Sequence, residues 1–136
     1  MTIALIAHDA KQELMVQFCI AYSGILSQHS ICATGTTGKL VGEATGLKIS
    51  RFLSSSQGGQ QQIASRIACN EIDLLIFFRD PLAANQMDPD EAGLIRLCDV
   101  HTIPLATNIA TAEALIHALE KGDLDWRNIV HGVSAR

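Results

Sequence analysis

Ile31-Cys32-Ala33-Thr34-Gly35-Thr36-Thr37-Gly38-Lys39 is the stretch that decides the fold class. Its first three residues are apolar and read as a short buried strand. The Gly/Thr cluster then interrupts the pattern, and a helix-compatible run, Leu40-Val41-Gly42-Glu43-Ala44, follows. Strand, tight loop and helix N-terminus in immediate succession are the first half of a βαβ unit. The two glycines permit positive φ and a close backbone approach to a ligand. The hydroxyls of Thr34, Thr36 and Thr37 and successive backbone N–H groups can converge on one anion at the positive end of the helix dipole, so the expected ligand is a phosphate. The spacing fits neither the Walker A pattern nor the dinucleotide Gly-x-Gly-x-x-Gly pattern, and an ordinary βα turn with a Thr or Ser N-cap fits the same residues.

The rest of the chain repeats this alternation. Thr2-Ile3-Ala4-Leu5-Ile6-Ala7 is almost wholly apolar, as expected of a parallel strand covered on both faces. It ends at His8-Asp9. Asp9 is expected to cap a helix carrying Leu14, Met15, Phe18, Cys19 and Tyr22, with Ser23-Gly24 as its stop. A third strand is expected within residues 47–53, followed by a second polar loop, Ser54-Ser55-Ser56-Gln57-Gly58-Gly59, and a helix from about Gln60 to Asn70. Ile72-Asp73-Leu74-Leu75-Ile76-Phe77-Phe78 is the strongest strand and breaks at Arg79-Asp80-Pro81. A helix bearing Leu94, Ile95, Leu97 and Cys98, a short strand at Leu105-Ala106, and a helix over about 110–120 stopped by Gly122 complete the pattern. Five strands alternating with helices predict an α/β fold with a parallel sheet covered on both faces. In such sheets ligands collect at the strand carboxyl ends. His8, the Thr34–Gly38 loop, the Ser54–Gly59 loop, Arg79-Asp80 and Thr107-Asn108 all fall there. Asp80 is the leading candidate carboxylate, with a turn-capping role before Pro81 as the alternative.

At 136 residues and 48% hydrophobic the chain suits one domain with a single core. A net charge of −4, scattered Lys and Arg, and few aromatics argue against a nucleic-acid partner. No apolar run approaches a membrane span and no leader pattern is seen, so a cytoplasmic protein is expected. Cys19, Cys32, Cys69 and Cys98 lack metal-site spacing and lie in apolar segments, which predicts reduced core cysteines and no metal.

Several stretches together resemble the methylglyoxal synthase family: 3–9 (Ile-Ala-Leu-Ile-Ala-His-Asp), 33–38 (Ala-Thr-Gly-Thr-Thr-Gly), 43–47, 76–82 (Ile-Phe-Phe-Arg-Asp-Pro-Leu), 88–90 (Asp-Pro-Asp) and 105–108 (Leu-Ala-Thr-Asn). They run in order over about residues 1–127, leaving 128–136 as a tail. The resemblance implies a single-domain Rossmann-like, three-layer fold and a homohexamer. It also implies a cofactor-free reaction in which dihydroxyacetone phosphate loses a carbon-bound proton next to its carbonyl, forms an enediolate and expels phosphate to give methylglyoxal. It places the phosphate cradle at Thr34, Gly35, Thr36, Thr37 and Gly38, with Ser54 and Ser55 in the second loop. His8 falls on a substrate-binding histidine, and Asp80 and Asp90 fall on carboxylates near the reacting carbon.

The chain also departs from that family. Gln60 stands where the family's catalytic base is an aspartate, and an amide cannot take a carbon proton near neutral pH. Gln86-Met87 replaces a Pro-His pair. The family's phosphate lysine falls on Gln12, and the neighbouring Lys11 would leave a helix about 100° away. Arg127 and Arg136 are the candidates for a C-terminal phosphate arginine. Two readings follow: a synthase with altered groups, Asp80 or Asp9 serving as base, or a noncatalytic paralogue that binds a phosphorylated metabolite or inorganic phosphate as a sensor or subunit.

Overall fold

The computed structural model describes residues 1–82 and 89–130. Five parallel strands, β1 (Thr2–Ala7), β2 (Ser30–Ala33), β3 (Ile49–Arg51), β4 (Leu74–Phe78) and β5 (Leu105–Ala106), form one sheet in the order β3-β2-β1-β4-β5. The central pair keeps strict register from Ile3 opposite Leu74 to Ala7 opposite Phe78. Both strands are nearly free of polar residues because both of their faces are covered. Ile3, Leu5 and Ala7 of β1, with Leu74, Ile76 and Phe78 of β4, pack on α1 (Gln12–Ala21), α2 (Ser23–Leu26), α3 (Gly35–Thr45) and α6 (Ile109–Glu120). The alternate residues Ala4, Ile6, Leu75 and Phe77 meet Ile63 and Ile67 of α4 (Gly59–Ala68) and Leu94 and Cys98 of α5 (Pro89–Val100). Helices on both faces give three layers, as the alternating pattern predicts. Each large side chain taken fully out of water contributes about 1.5–3 kcal/mol, so the two clusters hold the sheet between its helical layers.

Strand order reverses at β1. The chain moves from β1 outward through β2 to β3, then returns to β4 on the other side, so the carboxyl ends of β1 and β4 flank a topological switch point where a crevice opens. His8 and Asp80 lie directly at that crevice.

Local expectations needed correction in four places. Asp9 does not cap the first helix with its side chain; it opens a 3₁₀ turn, Asp9–Lys11, whose N-cap is His8. Ser23-Gly24 does not end the helical region, because Tyr22 breaks α1 at φ −113° and the chain enters the one-turn α2, which buries Leu26 in the core. Cys69 is exposed at the end of α4, whereas Cys19, Cys32 and Cys98 are buried and reduced. Burial pushes the thiols of Cys19 and Cys98 up to about 12 and that of Cys32 to about 11, since a thiolate is poorly solvated there. A short helix, α7 (Trp126–Val130), lies where the sequence pattern gave no helix.

Candidate active site

A cavity of about 490 Å³ opens at the carboxyl ends of β1 and β2, lined by Ala7, His8, Asp9, Ala10, Gln12, Thr34, Thr36, Ser54, Ser55, Ser56, Gln60 and Asp80. The site residues named from sequence on three different loops thus meet in one place. A hollow of similar size, about 510 Å³, sits near the opposite strand ends beside Thr2, Ser30 and Asn70. Among the described residues its one cation, Arg66, is paired with Glu71 at 3.2 Å and lies over the Phe52 ring.

The Thr34–Gly38 stretch is not a separate loop: Gly35 already begins α3, and Thr34 is its N-cap. Neither Gly35 nor Gly38 has positive φ; such values occur at Gly46, Gly58 and Gly122 among the described glycines. Packing requires the glycines instead. A Cβ on Gly35 would meet the Phe52 carbonyl oxygen at 2.9 Å, and one on Gly38 would meet Arg51 Cγ at 2.7 Å. Of the four amides at this helix end, Thr34 N–H donates to Leu5 O (3.3 Å) and Gly35 N–H to Leu53 O (3.0 Å). The N–H groups of Thr36 and Thr37 have no acceptor within the helix. The hydroxyls divide similarly. Thr34 Oγ1 donates to Thr37 Oγ1 (3.3 Å), Thr37 Oγ1 donates to Gln12 Oε1 (3.0 Å), and Gln12 Nε2 donates to Ala7 O (3.0 Å). Thr34, Thr37 and Gln12 therefore form an internal chain tying α3 to the end of β1. The exposed Thr36 lines the cavity with its hydroxyl uncommitted to that chain.

The second loop closes the other wall. Ser54 precedes a 3₁₀ turn, Ser55–Gln57, and its carbonyl accepts from Gly59 N–H (2.9 Å) as α4 begins. Gly58 at φ 102° makes that corner, a conformation costly for any side chain. The corner places Gln60 in the first turn of α4 on the cavity wall, with Oε1 buried and lacking a hydrogen-bond partner.

At the switch point, Asp80 N–H donates to His8 Nδ1 (2.9 Å), His8 N–H donates to Phe78 O (3.0 Å), and Asp80 Oδ1 accepts from Leu82 N–H (3.0 Å). Asp80 thus lines the cavity and caps its own turn as well. His8 Nε2 contacts Glu91 Oε1. Glu91 carries no signal in the sequence, because an acidic residue in a helix's first turn is ordinarily a solvated dipole partner. Only its 4% exposure, visible in the folded chain, marks it as different.

Three candidates fall elsewhere. Lys11 is not among the residues lining the His8 cavity; it lines a separate one with Leu14, Arg79, Thr107 and Asn108. Asp90 is exposed in the first turn of α5 and is not among the residues lining the His8 cavity. Arg127 is 2% exposed at the opposite edge of the sheet, its Nε 3.5 Å from Asp73 Oδ1 and its Nη1 donating to Thr102 O. That edge carries the strand amino ends, so Arg127 cannot close on the Thr36 side. Gln86, Met87, Asp88 and Arg136 lie outside the described residues.

The sequence profile of the MGS-like domain matches residues 14–107. The methylglyoxal synthase of Caldicellulosiruptor saccharolyticus is 66% identical over 131 residues, 96% of this chain and 93% of that protein. The chain belongs to the methylglyoxal synthase family. The family enzyme of Geobacillus thermodenitrificans is 60% identical over 132 residues, covering 97% and 92% of the two chains. The crystal structure of methylglyoxal synthase from Elizabethkingia anophelis matches with a TM-score of 0.79 at 44% identity, over 85% of this chain and 76% of that one. The five-stranded parallel sheet with helices on both sides is therefore the fold of this family. Among the described residues no helix is long and apolar enough to cross a membrane.

Proposed function

We propose that the chain eliminates phosphate from dihydroxyacetone phosphate to give methylglyoxal, at a rate lowered by Gln60. The observation that carries this is the convergence of His8, Thr36, Ser54, Gln60 and Asp80 on one cavity at the strand carboxyl ends. The phosphate group meets the first turn of α3, where the Thr36 and Thr37 amides, the Thr36 hydroxyl and the Ser54 hydroxyl are the donors. Proton removal needs a base that is anionic near neutral pH, and the carboxylates lining the cavity among the described residues are Asp9 and Asp80. One of them takes the carbon proton, the electron pair moves to the carbonyl oxygen as an enediolate, and its return expels phosphate. Gln60, at the position the family resemblance gives to the base, is left with an acceptor oxygen that can bind a substrate hydroxyl but cannot take the proton. The family reading also carries a homohexamer and a cytoplasmic setting, and needs no cofactor.

The buried, unpartnered Gln60 oxygen also favours a second reading, a binding protein for a phosphorylated metabolite. One set of proteins separates the two. Wild type, Gln60→Asp and Asp80→Asn are assayed for methylglyoxal formation, with phosphate binding followed by thermal stabilisation, which acts through the folded state. Gln60→Asp is expected to raise turnover about one to three orders of magnitude; loss of the wild-type rate in Asp80→Asn assigns the base to Asp80, and its persistence assigns it to Asp9. If all three bind phosphate and none turns over, the catalytic reading fails and the binding reading stands.

A further inference from the structure

Glu91 is a carboxylate held at 4% exposure in the first turn of α5, a place where acids usually face water. One oxygen contacts His8 Nε2, and the other lies 3.9 Å from Arg79 Nη2. On its other side the imidazole is equally constrained, because Nδ1 meets the backbone N–H of Asp80 at 2.9 Å. A backbone amide can only donate, so Nδ1 must present its lone pair and the ring proton must sit on Nε2, facing the carboxylate. The Phe77 ring packs edge-on against the imidazole at 5.6 Å between centroids, which limits rotation of the ring.

We propose that Glu91 is a positioning residue for His8: it fixes the Nε2–H tautomer and the ring orientation at the cavity wall, and so sets which nitrogen can change partners when substrate arrives. This rests on the reading of His8 as a residue of the elimination site. Nε2–H faces the Glu91 side-chain oxygen, whereas Nδ1 is engaged by the backbone amide of Asp80 and is the nitrogen that exchanges this bond for one to the substrate. Among the described residues, the titratable and charged groups around the ring are Arg79, Asp80 and Glu91, with Asp9 on the same cavity wall.

The tautomer is read directly from long-range proton–nitrogen spectra of the ¹⁵N-labelled protein. Wild-type His8 is expected to show a protonated Nε2 and a bare Nδ1. Glu91→Gln keeps an acceptor oxygen and is expected to retain that form, whereas Glu91→Leu is expected to give a tautomer mixture. Turnover of dihydroxyacetone phosphate is expected to fall about 10–100-fold in Glu91→Leu, in line with the loss of orienting partners elsewhere. KM should stay within about twofold and Glu91→Gln should recover most of the lost rate, a pattern that a purely structural role would not give. A wild-type His8 protonated on Nδ1, a Glu91→Leu spectrum like wild type, or an unchanged kcat in a folded Glu91→Leu protein would overturn the proposal. The wild-type and Glu91→Gln spectra decide the tautomer even if Glu91→Leu fails to fold. They also do so if no variant turns over, an outcome that sinks the elimination reading instead.

Discussion

Within one motif, Thr36 and Thr37 have separate tasks that their adjacency conceals. Thr37 is fully buried, donates to the half-buried Gln12 Oε1 and accepts from the buried Thr34 hydroxyl, so replacing it leaves that hydroxyl without its acceptor. Thr37→Val is therefore expected to cost about 1–3 kcal/mol of stability, measured by denaturant unfolding. Thr36 is exposed and lines the cavity, and Thr36→Ala should change stability by no more than about 0.5 kcal/mol while weakening phosphate binding in a calorimetric titration. Equal losses of stability in the two variants would mean that the internal Thr34–Thr37–Gln12 chain does not matter. The same contrast explains why three hydroxyls read from sequence as one cradle prove to be mainly a tie between α3 and β1.

The decisive elements are the first turns of α3 and α4 and the β3–α4 connection pressed between them. A Cβ on Gly59 would fall 1.9 Å from Leu53 O, a distance no side chain can accept without moving backbone. Gly59→Ala is expected to lower stability by about 2–3 kcal/mol or more and to weaken phosphate binding, because the shifted loop carries Ser54 and Gln60. Gly24→Ala is the control. Nothing lies within 4 Å of a Cβ there, and the residue sits in the one-turn α2 at no positive φ, so a gain of about 0.4–1 kcal/mol is expected. Thermal unfolding of both variants checks the pair; a Gly59→Ala protein as stable as wild type would show that the loop packs differently.

Across the whole molecule, the sheet separates a chemical edge from a structural one. Arg127 and Asp73 are almost wholly buried, 3.5 Å apart, and Asp73 also receives the Thr2 N–H at 2.9 Å beside the amino end of β1. Arg127→Met removes the cation beside this carboxylate, and loss of one partner of a buried pair elsewhere costs about 3–5 kcal/mol; the Nε–H is not aimed for a hydrogen bond and Asp73 keeps the Thr2 N–H, which favours the lower figure. Phosphate affinity, measured below the unfolding transition, should be unchanged because the phosphate side lies at the other end of the strands. A large drop in affinity with no drop in stability would return Arg127 to the role of phosphate arginine.

The sequence by itself determined the five-strand alternation and the parallel sheet, because runs such as Ile3–Ala7 and Leu74–Phe78 can bury both faces only between two helical layers. It also determined that His8, Thr36, Ser54 and Asp80 stand at strand carboxyl ends, since each lies within three residues of a strand end. Tertiary structure alone decided which of them meet and how. Lys11 and Gln12 are neighbours in sequence but serve different cavities, because one step around a helical turn carries a side chain to another face. Arg127 went to the far edge because a buried carboxylate there needs a cation. Glu91, separated from His8 by 83 positions, became its partner only when α5 packed against the carboxyl end of β1, a contact that no local pattern encodes.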